Sequence, residues 1–287
     1  MNLVFIRVVQ FLVGTLAAVS SAISIYQSTS DDTNYTIAII SIILLCIAIY
    51  TFKYITVKKR YQDKLCAVAR DSHKFNHELR NAITRIEQLG DKFTDNGDTL
   101  IELVRDVCEK NIDYLSDSLS RVLNKDICVH LKHIPEKNEL KDLKSVGLKT
   151  FCSCSNTKKL PNRHTINTHL VKDNVPYQDL FIKRKPHCYY PNFRKKAKLH
   201  LKVTGNPFII NNNKVDEYYG SVAYVAVKLI EGENCDIRGI LVADYYKKNV
   251  FKRRDELLIT EIMKSYADGF YLYLTKFNNL EREISKK

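Results

Sequence analysis

The stretch YYGSVAYVAVKLIEGENCDIRGILVADYY, residues 218–246, decides the fold class. Tyr219 to Ile230 is rich in valine and tyrosine, side chains that suit a pleated, half-buried surface, and Gly239 to Tyr246 repeats that character. Between them, Glu231-Gly232-Glu233-Asn234 supplies the turn chemistry of a hairpin. Two antiparallel strands are predicted here. Upstream, alternation begins at Asp126: Ile127, Val129 and Leu131 share one face, and Cys128, His130 and Lys132 the other. A further extended piece runs from Gly147 to Cys154. Downstream, an amphipathic helix over about Asp255 to Phe277 aligns Leu258, Ile262, Tyr266, Phe270, Tyr273 and Phe277. Strands with helices packed at one face or end make an α+β domain with an antiparallel sheet.

The N-terminal part has a different composition. Mean hydropathy over the 287 residues is only −0.25, yet the long apolar runs are confined to the beginning. Val8 to Tyr26 carries no charge, and Tyr35 to Ile55 is interrupted only by Lys53. Each has the roughly 20 residues a helix needs to cross a bilayer. Ala17, Ala18, Ser20, Ser21 and Ala22 are small enough for close helix–helix contact. A cleaved signal peptide is the rival for the first run, but its apolar core spans about 7–15 residues and this run is longer. The connection from Gln27 to Asn34 holds Asp31 and Asp32 and no basic residue, whereas Lys58, Lys59 and Arg60 follow the second run and Arg7 precedes the first. The positive-inside rule then places both termini in the cytosol of a multi-pass inner-membrane protein. The expected organisation is a two-helix transmembrane hairpin over 1–56, a helical stalk over 57–98 and a cytosolic domain over 99–287.

In the stalk, Tyr61, Leu65, Val68, Phe75, Leu79, Ala82, Ile86, Leu89 and Phe93 recur at alternating steps of four and three, with Ser72 filling the gap. This is a heptad seam of about four and a half repeats. Two partners can bury it. One is a second copy, with Leu65, Val68, Phe75, Leu79, Ile86 and Leu89 as the dimer seam, giving a homodimer or higher oligomer. The other is the next helix of the same chain, about Thr99 to Leu123, reached through the turn signals Gly90 and Asp95-Asn96-Gly97-Asp98. Within the stalk, His77-Glu78-Leu79-Arg80-Asn81 resembles the phospho-acceptor motif of sensor histidine kinases, with Ala82 in place of the usual proline. Nine glycines in the whole chain and no nucleotide box exclude the kinase's ATP-binding domain, so His77, at an outward heptad position, is expected to be a solvated surface histidine.

Eight cysteines without a framework spacing fit thiols in a reducing compartment. Cys152 and Cys154 with His164, His169, His187 and Cys188 have the residue types of a zinc site. The two-residue gap of paired zinc cysteines is missing, however, and residues two apart on a strand share a face. A small apolar pair in the core is expected, with no metal and no cofactor. The net charge of +13 is concentrated: Lys183, Arg184, Lys185, Arg194, Lys195, Lys196, Lys198 and Lys202 occur with no acidic residue among them, interleaved with His187, Tyr189, Tyr190, Phe193 and His200. Lys247, Lys248, Lys252, Arg253 and Arg254 form a second cluster. Such a patch suits anionic lipid headgroups, plain solvation, or a nucleotide or ribonucleoprotein partner. No phosphate loop, nucleophile elbow or His-Glu-x-x-His is present, so catalysis is not expected.

From about Thr99 to Phe277 the order of elements resembles a GAF domain. The likeness rests on a helix leading to a strand near Ile127, the stretch Asn174-Val175-Pro176-Tyr177-Gln178-Asp179-Leu180-Phe181, and Tyr218 and Tyr219 before a valine-rich strand. It continues with Arg238-Gly239-Ile240-Leu241-Val242-Ala243-Asp244, Phe251 and the closing helix. The resemblance implies a small-molecule pocket between sheet and helices, or a dimerisation role. Asn213-Lys214 and Asp216-Glu217 are a compressed fragment of the cyclic-nucleotide members' motif, so no ligand is carried over. The whole layout is similar to the two-helix membrane effectors of bacterial anti-phage systems, those of retrons and cyclic-nucleotide operons included. That similarity implies a restraining protein or ribonucleoprotein partner, and membrane helices that perturb the bilayer on release. The other expectation is a membrane-anchored sensor that regulates a separate enzyme by binding.

Overall fold

The computed structural model describes residues 33–90, 97–135, 146–158, 168–209, 220–231 and 234–284, together with Ser21. Helix α1, Thr33–Gly90, runs for 58 residues without interruption. Over its first half Ile42, Ile43, Leu44, Leu45, Ile47 and Ile49 are all exposed. By length and composition this helix is long and apolar enough to cross a membrane. The first apolar run, Val8 to Tyr26, lies outside the described residues apart from Ser21, as do Asp31 and Asp32. The chain divides into two compact units, 1–63 and 64–287.

The second unit is α+β. Helix α2, Gly97–Leu123, matches the predicted second helix and ends where Asn124 takes the left-handed conformation at φ 56°. Strands β1 (Cys128–His133) and β2 (Gly147–Ser153) follow, then the short helix α3 (Ser155–Lys158) and strand β3 (Thr168–Leu170). Helix α4 (Val175–Phe181) starts with Pro176 in its first turn, and β4 (His187–Tyr190), helix α5 (Phe193–Thr204), β5 (Ser221–Glu231) and β6 (Asn234–Tyr245) come next. Helix α6, Glu256–Ile284, closes the described chain. The six strands form one antiparallel sheet in the order β3-β2-β1-β6-β5-β4. The predicted hairpin supplies its fourth and fifth strands: β5 and β6 pair from Ser221↔Tyr245 to Glu231↔Asn234, with β6 starting five residues before the predicted Gly239.

The sheet is buried on both faces. On the first, Val129, Leu131, Ala223, Val225, Val227, Leu241 and Ala243 pack beneath α2 and α6. Five of the six residues expected on the face of α6, from Ile262 to Phe277, are buried there, and Leu258 is half-buried. The seam of α1 joins this core. Val68, Phe75, Leu79 and Ala82 are buried by the chain's own α2 and α6, and the Phe75 ring lies 4.5 Å from that of Tyr266 and 5.5 Å from that of Phe270. No second copy is needed to cover these residues, because a four-three stripe fits equally well against helices of the same chain. Leu65 stays 37% exposed, and the side chains of Ile86 and Leu89 lie outside the described set. Gly269 permits the close approach, since a Cβ there would stand 2.3 Å from Phe75 Cζ. Buried Asp71 fixes the register by accepting hydrogen bonds from Arg121 Nη1 at 2.6 Å and Ser118 Oγ at 3.2 Å. On the second face Val222, Tyr224, Ala226, Ile240 and Val242 meet α4, the start of α5 and Phe208.

Candidate functional site

The pleat of β1 sends Val129 and Leu131 into the first core, so Cys128, His130 and Lys132 face the second, as their alternation requires. A register irregularity between Leu131 and Lys132 sets Ser153 opposite His130 and Thr150 opposite Lys132. From the other side β6 contributes Asp244, whose side chain is fully buried. The result is a polar row in an otherwise apolar face. His130 Nε2 lies 3.2 Å from Asp244 Oδ2, and His130 Nδ1 lies 2.9 Å from Ser153 Oγ. Lys132 Nζ donates to Thr150 Oγ1 at 3.1 Å.

Burial sets the electrostatics of this row. It pulls the Lys132 ammonium down to about 8 against the opposing pull of Asp244. His169, on β3, is brought down to about 4 by burial first and then by the positive charge of Lys132. A carboxylate this deep requires a charged or hydrogen-bonded partner; the His130 ring lies beside it and Lys132 contributes positive charge. Serine, histidine and aspartate in series have the composition of a hydrolytic relay. Here Ser153 is only 7% exposed, and Asp244 is fully buried. The row sets a carboxylate, an imidazole, hydroxyls and an ammonium side by side within the sheet's second face.

The predicted basic residues are split among different settings. Lys183 Nζ and Lys185 Nζ reach Asp179 Oδ1 and Oδ2 at 2.8 and 2.7 Å. Burial pushes the Asp179 carboxyl up, but the two ammonium groups together outweigh it and hold it below the usual range. Arg184 sits in the left-handed region at φ 53°, and Arg194 Nη2 donates to the Tyr246 carbonyl at 3.3 Å. Lys195, Lys196 and Lys198 are exposed on α5. A wide cleft of about 680 Å³ opens between α6 and the β5 edge, lined by Pro186, Val225, Ala226, Lys228, Lys264 and Asp268 among others.

The cysteine pair is interior. Cys152 and Cys154 lie in the first core, Cys188 in the second, and no group of three His, Cys, Asp or Glu able to hold a metal occurs among the described residues. His77 is exposed; Arg80 Nη2 donates to its Nδ1 at 2.9 Å, and its Nε2 lies 3.0 Å from His73 Nε2. The sequence signal for the polar row was half visible: β1 alternation found His130 and Lys132, but Ser153, Thr150 and Asp244 join them only through sheet pairing.

No protein-family model and no curated protein matches the chain. Several solved structures resemble it. A type II free methionine-R-sulfoxide reductase from Thermoplasma acidophilum is 13% identical at TM-score 0.38, covering 61% of this chain and 96% of that one. A GAF sensor protein from Burkholderia vietnamiensis is 12% identical at TM-score 0.35, covering 64% and 96%. A bacteriophytochrome from R. palustris is 9% identical at TM-score 0.37, covering 73% and 38%. Similarities of this size transfer no substrate, ligand or activity.

Proposed function

We propose that this chain is a membrane-held sensory protein, in which a GAF-like cytosolic module and an apolar anchor share one helix. The observation that carries the proposal is α1. It bears the outward-facing apolar residues around Ile42 to Ile55 and also the seam residues Val68, Phe75 and Leu79 that are packed into the module's core. An event that repacks the module must therefore act on the helix that continues into the anchor. The antiparallel sheet between two helical layers supports the GAF-like assignment. In this proposal the protein is multi-pass in an inner membrane, both termini are cytosolic, and the module performs no chemistry of its own.

Two outputs are compatible with this layout. In the sensor form, the module controls a separate enzyme by binding. In the effector form, of the anti-phage kind, the membrane helices are themselves the output and a partner restrains them. Expression of the full chain alone in a bacterium, with membrane potential and growth followed, separates the two. Because Val68, Phe75 and Leu79 are buried within one chain, we take the sensor form as the working reading, for which unchanged potential and growth are expected. Depolarisation that disappears on deleting residues 1–55 assigns the effector form. Labelling of Ser153 by a fluorophosphonate probe would overturn the non-catalytic reading.

A further inference from the structure

We infer that helix α5 is a lipid-docking element that lies on an anionic membrane surface. The helix is a self-contained surface feature. Asn192 caps its start by accepting from the Lys195 N–H at 3.0 Å, and Gly205, at φ 72°, closes its end through a bond to the Leu201 carbonyl at 2.9 Å. Phe193 is its only buried residue. A core helix of this length normally buries a full apolar stripe, whereas α5 buries Phe193 with Ala197 packed beside it and leaves Leu199 and Val203 in solvent. Leu199 is 52% exposed and Val203 is 74% exposed, one turn apart on the same row as Lys195, with Lys198 and Lys202 on the adjoining row.

Along the chain, the charge flanking this pair has one sign. No acidic residue occurs from Leu180 to Val215. Lys183 and Lys185 are compensated by Asp179, but Lys195, Lys196, Lys198 and Lys202 make no ion pair with any described residue. Exposed leucine and valine bracketed by lysines on a short, capped helix is the composition of an interfacial element: the apolar pair enters the headgroup boundary and the lysine stems keep their ammonium groups among the phosphates. RNA would use the same charges but has no use for exposed aliphatic side chains, since it is bound by aromatic stacking. This inference does not rest on α1 spanning the bilayer.

The test uses the full chain in phosphatidylcholine vesicles, with or without about one-third phosphatidylserine, and follows amide hydrogen exchange over residues 193–204. Slower exchange in α5 with phosphatidylserine than without is expected, with β5 and β6 unchanged. Each lysine near an anionic surface contributes roughly five-fold, so Lys195→Gln, Lys198→Gln and Lys202→Gln together should weaken docking on the order of 100-fold. Leu199→Ser with Val203→Ser keeps every charge and should also lose protection; both positions are exposed, so the fold survives and the exchange of β5 and β6 reports that it has. Equal exchange in the two lipids overturns the inference. So does protection by an added RNA oligonucleotide in phosphatidylcholine with none from phosphatidylserine, which assigns the surface to nucleic acid. Flotation with pure phosphatidylcholine vesicles reads α1 separately: its failure would remove the span and leave the α5 result standing.

Discussion

Gly269 and His133 show how single residues set the terms of this fold. Gly269 lies mid-helix, where alanine would ordinarily gain about 1 kcal/mol in propensity. A Cβ there would meet the Phe75 ring at 2.3 and 2.5 Å and Leu79 Cδ2 at 3.1 Å, and that ring is itself fully buried. Overpacking outweighs propensity, so Gly269→Ala should destabilise the 64–287 unit by about 1–3 kcal/mol in chemical unfolding. His133 is buried edge-on against Phe151 at 5.1 Å and Phe277 at 5.8 Å. Burial first, then Lys149 and Arg105, brings it down to about 4. The unfolded chain takes up that proton near pH 6.5 and the folded one does not, so stability is lost as pH falls from 6.5 towards 4. His133→Phe should flatten the acid limb of the stability profile by up to about 3 kcal/mol. Lys132 acts in a separate window. Its penalty is complete below pH 8 and relieved between 8 and 10.5, so stability should rise across that range and cease to do so in Lys132→Met.

At the level of elements, what was legible in the sequence had regular periodicity. The hairpin over residues 218–246, β1, β2, α2 and α6 all follow from alternation or a 3.6-residue stripe, and the structure contains each. Strands β3 and β4 were missed because three or four residues cannot display a period. Helix α5 was missed for a different reason. Only Phe193 and Ala197 of its apolar residues reach the core, while Leu199, Leu201 and Val203 are exposed, so the usual stripe is absent. The seam of α1 was legible as a stripe, but a stripe does not name its partner. Phe75→Ala should cost about 3–5 kcal/mol and do so independently of protein concentration, because the cavity opens inside one chain. Unfolding midpoints that rise with concentration would instead place the seam between copies.

For the whole molecule, one continuous α1 carries both the exposed apolar residues and the seam packed into the folded module. The proposed second membrane helix and cytosolic termini rest on Val8 to Tyr26 and on the charge asymmetry about Asp31, Asp32 and Lys58 to Arg60. The central claim is that the module is held at the cytosolic face by a membrane-spanning segment. Paired reporter fusions in a bacterium test it most directly, with alkaline phosphatase reporting export and green fluorescent protein reporting retention. Fused after Lys287 or after Arg60, fluorescence and an inactive phosphatase are expected; fused at Asp31, the reverse is expected, with the chain resisting alkaline carbonate extraction throughout. Active phosphatase after Lys287, or a chain released from membranes by carbonate, would contradict the account.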